Sequence, residues 1–117
     1  MGYRSDVIFW IHKPQVGKLL TMTSKVPEAF EVLFNWSEVE NNDDGSMKFI
    51  INHIKWYDAY AGIGAIEAFM RDLEGEGLDE EFGFVRLGEE FGDLERRGES
   101  ELYEVYPTQH LECDRVC

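Results

Sequence analysis

The chain has 117 residues, of which 44% are apolar, enough for one modest core, so it reads as a single domain and not as a disordered acidic tail. Its net charge of −13 argues against direct contact with nucleic acid, whose phosphates need Lys and Arg, and against docking on anionic membranes. No apolar run approaches the ~20 residues that cross a bilayer, and the opening Met1-Gly-Tyr-Arg-Ser-Asp6 has no secretory apolar stretch. Asp6 also stands where a myristoylation signal has Ser or Thr, so a cytoplasmic protein is expected.

In chain order, Asp6-Val-Ile-Phe-Trp-Ile-His12 is a continuous apolar run rich in β-branched and aromatic residues, the pattern of a central strand covered on both faces. Helical periodicity follows over 15–36, with Val16, Leu19, Leu20 and Thr23 on one face. Pro27 breaks it, and across that point Val26, Phe30, Leu33 and Phe34 repeat at i, i+4, i+7 and i+8 as core positions. Asn41-Asn-Asp-Asp-Gly45 is a turn, and Met47–Tyr57 reads as a long strand. A second amphipathic helix is expected over 63–74, closed by Gly75 and Gly77, with Glu67 and Arg71 paired on its outer side. Strands are expected at 82–87 and 102–106, separated by a charged loop from Gly88 to Ser100. The sum is an α+β fold, a two-layer sandwich in the order β-α-β-α-β-β, with four strands and two helices on one face. Residues 1–117 then form one compact domain with a short flexible C-terminal tail.

Three motifs are weighed and rejected. Gly62-Ile-Gly64 opens like a dinucleotide fingerprint, but Glu67 replaces the third glycine and would repel a pyrophosphate, so the glycines are assigned to a tight strand-to-helix turn. His110, Cys113 and Cys117 resemble half of a zinc site without a second pair, and no metal is expected. Acid pairs such as Glu89-Glu90 lack both calcium-loop spacing and anything that would hold them face to face in a cleft, so neither catalysis nor a cofactor is expected.

The charge is unevenly placed, and this points to binding. Residues 67–104 hold fourteen acids against four bases, whereas residues 1–66 hold eight against six. Candidate partner-binding residues are Asp79, Glu80 and Glu81, then Glu89, Glu90, Phe91, Asp93 and Glu95 in the second cluster. Phe91 either folds onto the core or supplies contact area to a partner. Trp56, Tyr57 and Tyr60 form a further candidate patch, either core packing or an aromatic anchor. The partner this composition fits is a protein with a basic surface.

MGYRSDV at the start, IKWYDAY in the middle and EEFGFVRLGEEFGDLE near the end resemble a group of small bacteriophage proteins. The resemblance covers residues 1–12 and 50–96; it departs from the usual pattern at Phe91-Gly92-Asp93, where similar proteins carry further acids. The resemblance implies a viral origin. By analogy with other small acidic phage proteins, the acidic surface then leads to the expectation of an inhibitor of a host defence or nucleic-acid-processing protein, of anti-CRISPR or anti-restriction type, working in the host cytoplasm by nucleic-acid mimicry. Two alternatives stay open. One is a sponge for a nucleotide signal, stacked near Trp56 and Tyr60 with Lys55 and Arg86 on its phosphate; the other is a virion structural or assembly component. Oligomeric state is left open.

Overall fold

The computed structural model describes residues 3–98, which form five strands and three α-helices. Strand β1 (Ser5–Ile11) is the middle of an antiparallel sheet and is buried along its whole length, as its unbroken apolar run requires. Strand β3 (Met47–Ile54) lies on one side of it and β4 (Phe82–Gly88) on the other. The edges are β2 (Glu38–Asn41), beside β3, and β5 (Leu94–Gly98), beside β4.

Cross-strand register sorts the side chains. Val7, Phe9, Ile11, Phe49, Phe82 and Phe84 share the face on which the helices pack, and Ile8, Trp10, Val85 and Leu87 share the reverse face, also buried. Helix α1 (Lys13–Lys25) contributes Leu19 to the core. It ends at Val26, held extended before Pro27, and Pro27 starts the short helix α2 (Pro27–Phe30). A π-helical turn, Glu31–Asn35, continues α2. Helix α3 (Ala61–Gly75) buries Ile63, Ile66, Phe69, Met70 and Leu73. Gly77 (φ 76°) ends it in a Schellman motif: its N–H donates to the Glu74 carbonyl, and Leu78 N–H donates to the Leu73 carbonyl at 2.9 Å.

The two-layer α+β prediction holds, with corrections. The sheet has five strands among the described residues, not four. Both missed strands are edges. Glu38-Val-Glu-Asn41 has a single apolar residue, and Leu94–Gly98 lies within what reads as a charged loop. Edge strands take charge readily because one side faces water, and charge there also discourages pairing with other chains. Strand β3 stops at Ile54 instead of Tyr57, just after His53 enters a left-handed conformation (φ 61°). Leu20 and Phe30 are largely exposed; the buried positions around them are Gln15, Leu19, Thr23, Ala29, Val32 and Leu33. Ala29, Val32 and Leu33 are spaced i, i+3 and i+4, so they form the buried face and leave Phe30 on its edge. The expected strand at 102–106 and the C-terminal tail lie outside the described residues. No described helix is long and apolar enough to cross a membrane.

Candidate functional site

Residues from Tyr3 to Asp6, from His53 to Tyr57 and from Arg86 to Glu95 are far apart in sequence, yet they meet at one end of the sheet. There β1 begins, β3 and β4 end, and β5 begins, so topology alone brings the segments together. Tyr3 is the junction. Its N–H donates to the Tyr57 hydroxyl at 2.7 Å, its own hydroxyl donates to Asp93 Oδ2, and that hydroxyl accepts from Glu90 N–H at 2.9 Å. Arg4 N–H donates to Glu89 Oε2 at 2.7 Å, and the Arg4 guanidinium donates to the His53 carbonyl. His53 N–H in turn donates to Asp6 Oδ1 at 3.0 Å, which ties the left-handed residue to β1.

Arg86 is the second junction. The register places it opposite Val7 on the helix-covered face, with Glu95 opposite it on β5. Its guanidinium donates to Glu95 at 3.0 Å, to Asp93 at 3.0 Å and to the Ser5 hydroxyl at 3.0 Å. Burial works against the Arg86 charge, but the two carboxylates more than offset it and raise its pKa above the ordinary arginine value. The Tyr3 hydroxyl, and after it Arg86, hold the Asp93 carboxyl below its usual range, while the same Tyr3–Asp93 bond raises the tyrosine. Asp93 and Glu95 are therefore half-buried carboxylates that share one cation, Arg86, within the fold.

These bonds lock the β4–β5 turn. Gly88 N–H donates to the Asp93 carbonyl at 2.8 Å, Asp93 N–H to the Glu90 carbonyl, and Gly92 (φ 86°) supplies the left-handed residue. A Cβ on Gly88 would run into the Asp93 carboxylate and the Tyr3 hydroxyl. At the tip of this held loop stands Phe91, fully exposed, with Glu89 and Glu90 exposed just before it. Phe91 does not fold back onto the core.

The other predicted residues divide. Trp56 is half-buried against the core; its ring lies 5.5 Å from Phe84 and its indole N–H donates to Glu67 at 2.8 Å, so it is a packing residue. Tyr57 is held by Tyr3, and Tyr60, with its ring 5.6 Å from that of Tyr57, is half exposed. Asp79, Glu80 and Glu81 form a 3-10 turn before β4, at its opposite end from Glu89. Strand β4 spans about 20 Å, so the two acid clusters do not form one surface. The first cluster is tied to its neighbours through its backbone: the Glu81 carbonyl accepts from His12 N–H at 2.8 Å, and Glu81 N–H donates to the Leu78 carbonyl at 2.9 Å.

Sequence reading missed Tyr3, Arg97, and the tether role of Glu67 and Glu74. Arg97, on β5 and facing the helices, pairs with Glu67 and, at 2.9 Å, with Glu74. Glu67 is turned to Arg97 and Trp56 rather than to Arg71. Arg97 also holds the Glu74 carboxyl below its usual range. A signal was present: Glu67 and Glu74 lie two turns apart on one face of α3, and Glu95 and Arg97 alternate with strand period.

A polar cavity of about 490 Å³ is lined by Tyr3, Trp56, Tyr57, Asp58, Arg86 and Asp93 among others, and its one cation, Arg86, is already held by Asp93 and Glu95. Among the described residues no group of three or more His, Cys, Asp or Glu is placed to hold a metal. His110, Cys113 and Cys117 lie outside them. Comparison with protein-family models, with curated proteins and with solved structures finds no match to this chain.

Proposed function

We propose that this chain is a binding protein that inhibits a host protein by occupying a basic surface built for nucleic acid. That is an anti-defence role taken by analogy with other small acidic phage proteins, exercised in the host cytoplasm without catalysis or a cofactor. One observation carries the reading: a fully exposed phenylalanine on a loop that hydrogen bonds hold in place, with two exposed carboxylates beside it. An exposed aromatic of this kind costs solubility and adds nothing to the core. On a partner it is the side-chain type that anchors binding, and a loop already held in shape loses little entropy when it docks. Glu89 and Glu90 supply the charge that steers a basic partner towards the tip.

The recognition surface is therefore smaller than the acidic sequence implies. It centres on Glu89, Glu90 and Phe91, with Tyr60 as an outlying contact, while Asp93 and Glu95 support the loop from beneath. The test is capture of partners from host lysate with tagged wild type, Phe91→Ala, and Glu89→Lys/Glu90→Lys. Wild type should retain one stoichiometric basic protein whose affinity falls steeply between ~50 and ~300 mM salt, as the Debye length shrinks. The phenylalanine variant should release it faster, and the charge reversal should capture it more slowly. Retention that ignores all three residues and the salt concentration would overturn the reading.

A further inference from the structure

A second cavity, of about 840 Å³, opens on the same end of the sheet but away from the Arg86 network. It lies between the π-helical turn after α2, the end of β3 and the first turn of α3. Its size falls within the range of sites that hold small molecules. It is held in shape by backbone contact: Gly62 passes so close to α2 that a Cβ would lie 2.7 Å from the Glu28 carbonyl oxygen, and one on Gly64 would lie 2.8 Å from that of Asp58.

Its chemistry differs from that of the rest of the molecule. The floor is apolar, from Val32, Ile54 and Ile63. Two large aromatic side chains also line it with much of their surface in water, Trp36 at 58% and Tyr60 at 47% exposure. Arg4 and Lys55 line it as well, and neither has a carboxylate within ion-pair distance among the described residues, although the chain carries an excess of thirteen acids. Glu28 and Glu31 line it without a cation partner among them either. By contrast Arg86 and Arg97, elsewhere on the same sheet, each hold two carboxylates.

We propose that this cavity binds a guanine nucleotide. The ligand must offer a flat face to Trp36 and Tyr60, an anion to Arg4 and Lys55, and a paired N–H donor edge to a carboxylate. Guanine presents two adjacent donors, the ring N1–H and the exocyclic amino group, which match the two oxygens of Glu28 or Glu31. Its phosphate would sit by Lys55, next to the start of α3, where no side chain caps the helix and Ala61, Gly62 and Ile63 line the cavity. Glu67, expected from sequence to repel a phosphate there, is turned instead to Trp56 and Arg97 and does not line the cavity. Stacking supplies the base-independent part of the affinity. The nucleotide role expected near Trp56 and Arg86 moves accordingly, because Trp56 is packed and Arg86 is saturated. The cavity includes none of Glu89, Glu90 and Phe91 and shares only Tyr60 with the proposed recognition surface, so nucleotide binding is tested separately from the proposed inhibition.

The test is calorimetric titration of the full chain with GMP, AMP and guanosine, alongside melting curves. GMP should bind with unit stoichiometry and raise the melting temperature; AMP and guanosine should each bind at least about tenfold more weakly. Trp36→Ala and Tyr60→Ala, both at exposed side chains, should melt like wild type and each weaken GMP about tenfold, the loss of one stacking contact. Lys55→Ala should weaken GMP but leave guanosine unchanged. Glu28→Gln or Glu31→Gln should remove the preference for GMP over AMP, and Phe91→Ala should change nothing. Absence of heat and of any melting shift at millimolar GMP would overturn the proposal. So would GMP binding that survives Trp36→Ala and Tyr60→Ala together undiminished in a folded protein.

Discussion

Two acidic clusters that look alike in the sequence have different work in the structure. Asp79-Glu80-Glu81 sits on a 3-10 turn before β4, where Asp79 and Glu80 are exposed and contribute charge. Glu89 to Glu95 sits beyond the other end of the same strand, where Asp93 and Glu95 clasp Arg86, Asp93 also takes the Tyr3 hydroxyl, and Glu89 caps the N–H of Arg4. The first cluster is a solvated turn. The second is scaffold and surface together, with the scaffold acids half-buried and the surface acids flanking an exposed ring. Acid count is thus a poor guide to which carboxylates a partner can reach.

The largest test of this difference is Arg86→Ala. It leaves two half-buried carboxylates without their cation and should cost about 2–4 kcal/mol in denaturant unfolding, against under about 0.5 kcal/mol for Glu80→Ala in the first cluster. Equal costs would erase the distinction. Gly88→Ala comes next, at about 1–3 kcal/mol, because the added methyl must displace Asp93 or Tyr3. It should weaken partner capture as well, since the Phe91 loop loses its support; unchanged stability and capture would mean that the loop is not held as described.

A pH series separates the scaffold carboxylates from the free ones. The folded pKa values of Asp93 and Glu74 lie below those of the unfolded chain, so each adds stability that is fully present above the unfolded value and is lost as pH falls through the folded one. Stability should therefore drop below about pH 4, and the acid limb should flatten in Asp93→Asn and in Glu74→Gln but not in Glu80→Gln. A limb of the same slope in all three would assign the acid loss to general charge. The smallest effect on stability is expected at the tip: Phe91→Ala should melt within about 0.5 kcal/mol of wild type, because its ring touches no core. A larger loss would mean that Phe91 is structural.

The elements that were legible in sequence are those whose apolar pattern is strong. The run through Val7–Ile11 makes β1 central, the alternation of Phe82 and Phe84 with Val85 and Leu87 marks β4, and Ile63 to Leu73 with Gly77 marks α3 and its end. The edge strands β2 and β5 were not legible. Val39 is the only apolar residue of the first and Leu94 of the second, and what makes them strands is hydrogen bonding to β3 and β4. Likewise Trp56, Tyr60 and Phe91 are all aromatic, and residue type does not say which of them is buried. Only packing separates the first, beside Phe84, from the two that face water.

By itself, then, the sequence determined the fold class, the central strand, the break before Pro27 and the acidic character, because burial pattern and backbone restriction act over a few neighbouring residues. Tertiary structure decided which charges are spent. Arg86 meets Asp93 and Glu95, and Arg97 meets Glu67 and Glu74, only when the β4–β5 pair and the packing of α3 bring them within hydrogen-bond distance. It also decided that Arg4 and Lys55 line a cavity with no carboxylate within ion-pair distance among the described residues. Electrostatic pairing depends on distance through space, and a linear sequence does not contain that distance.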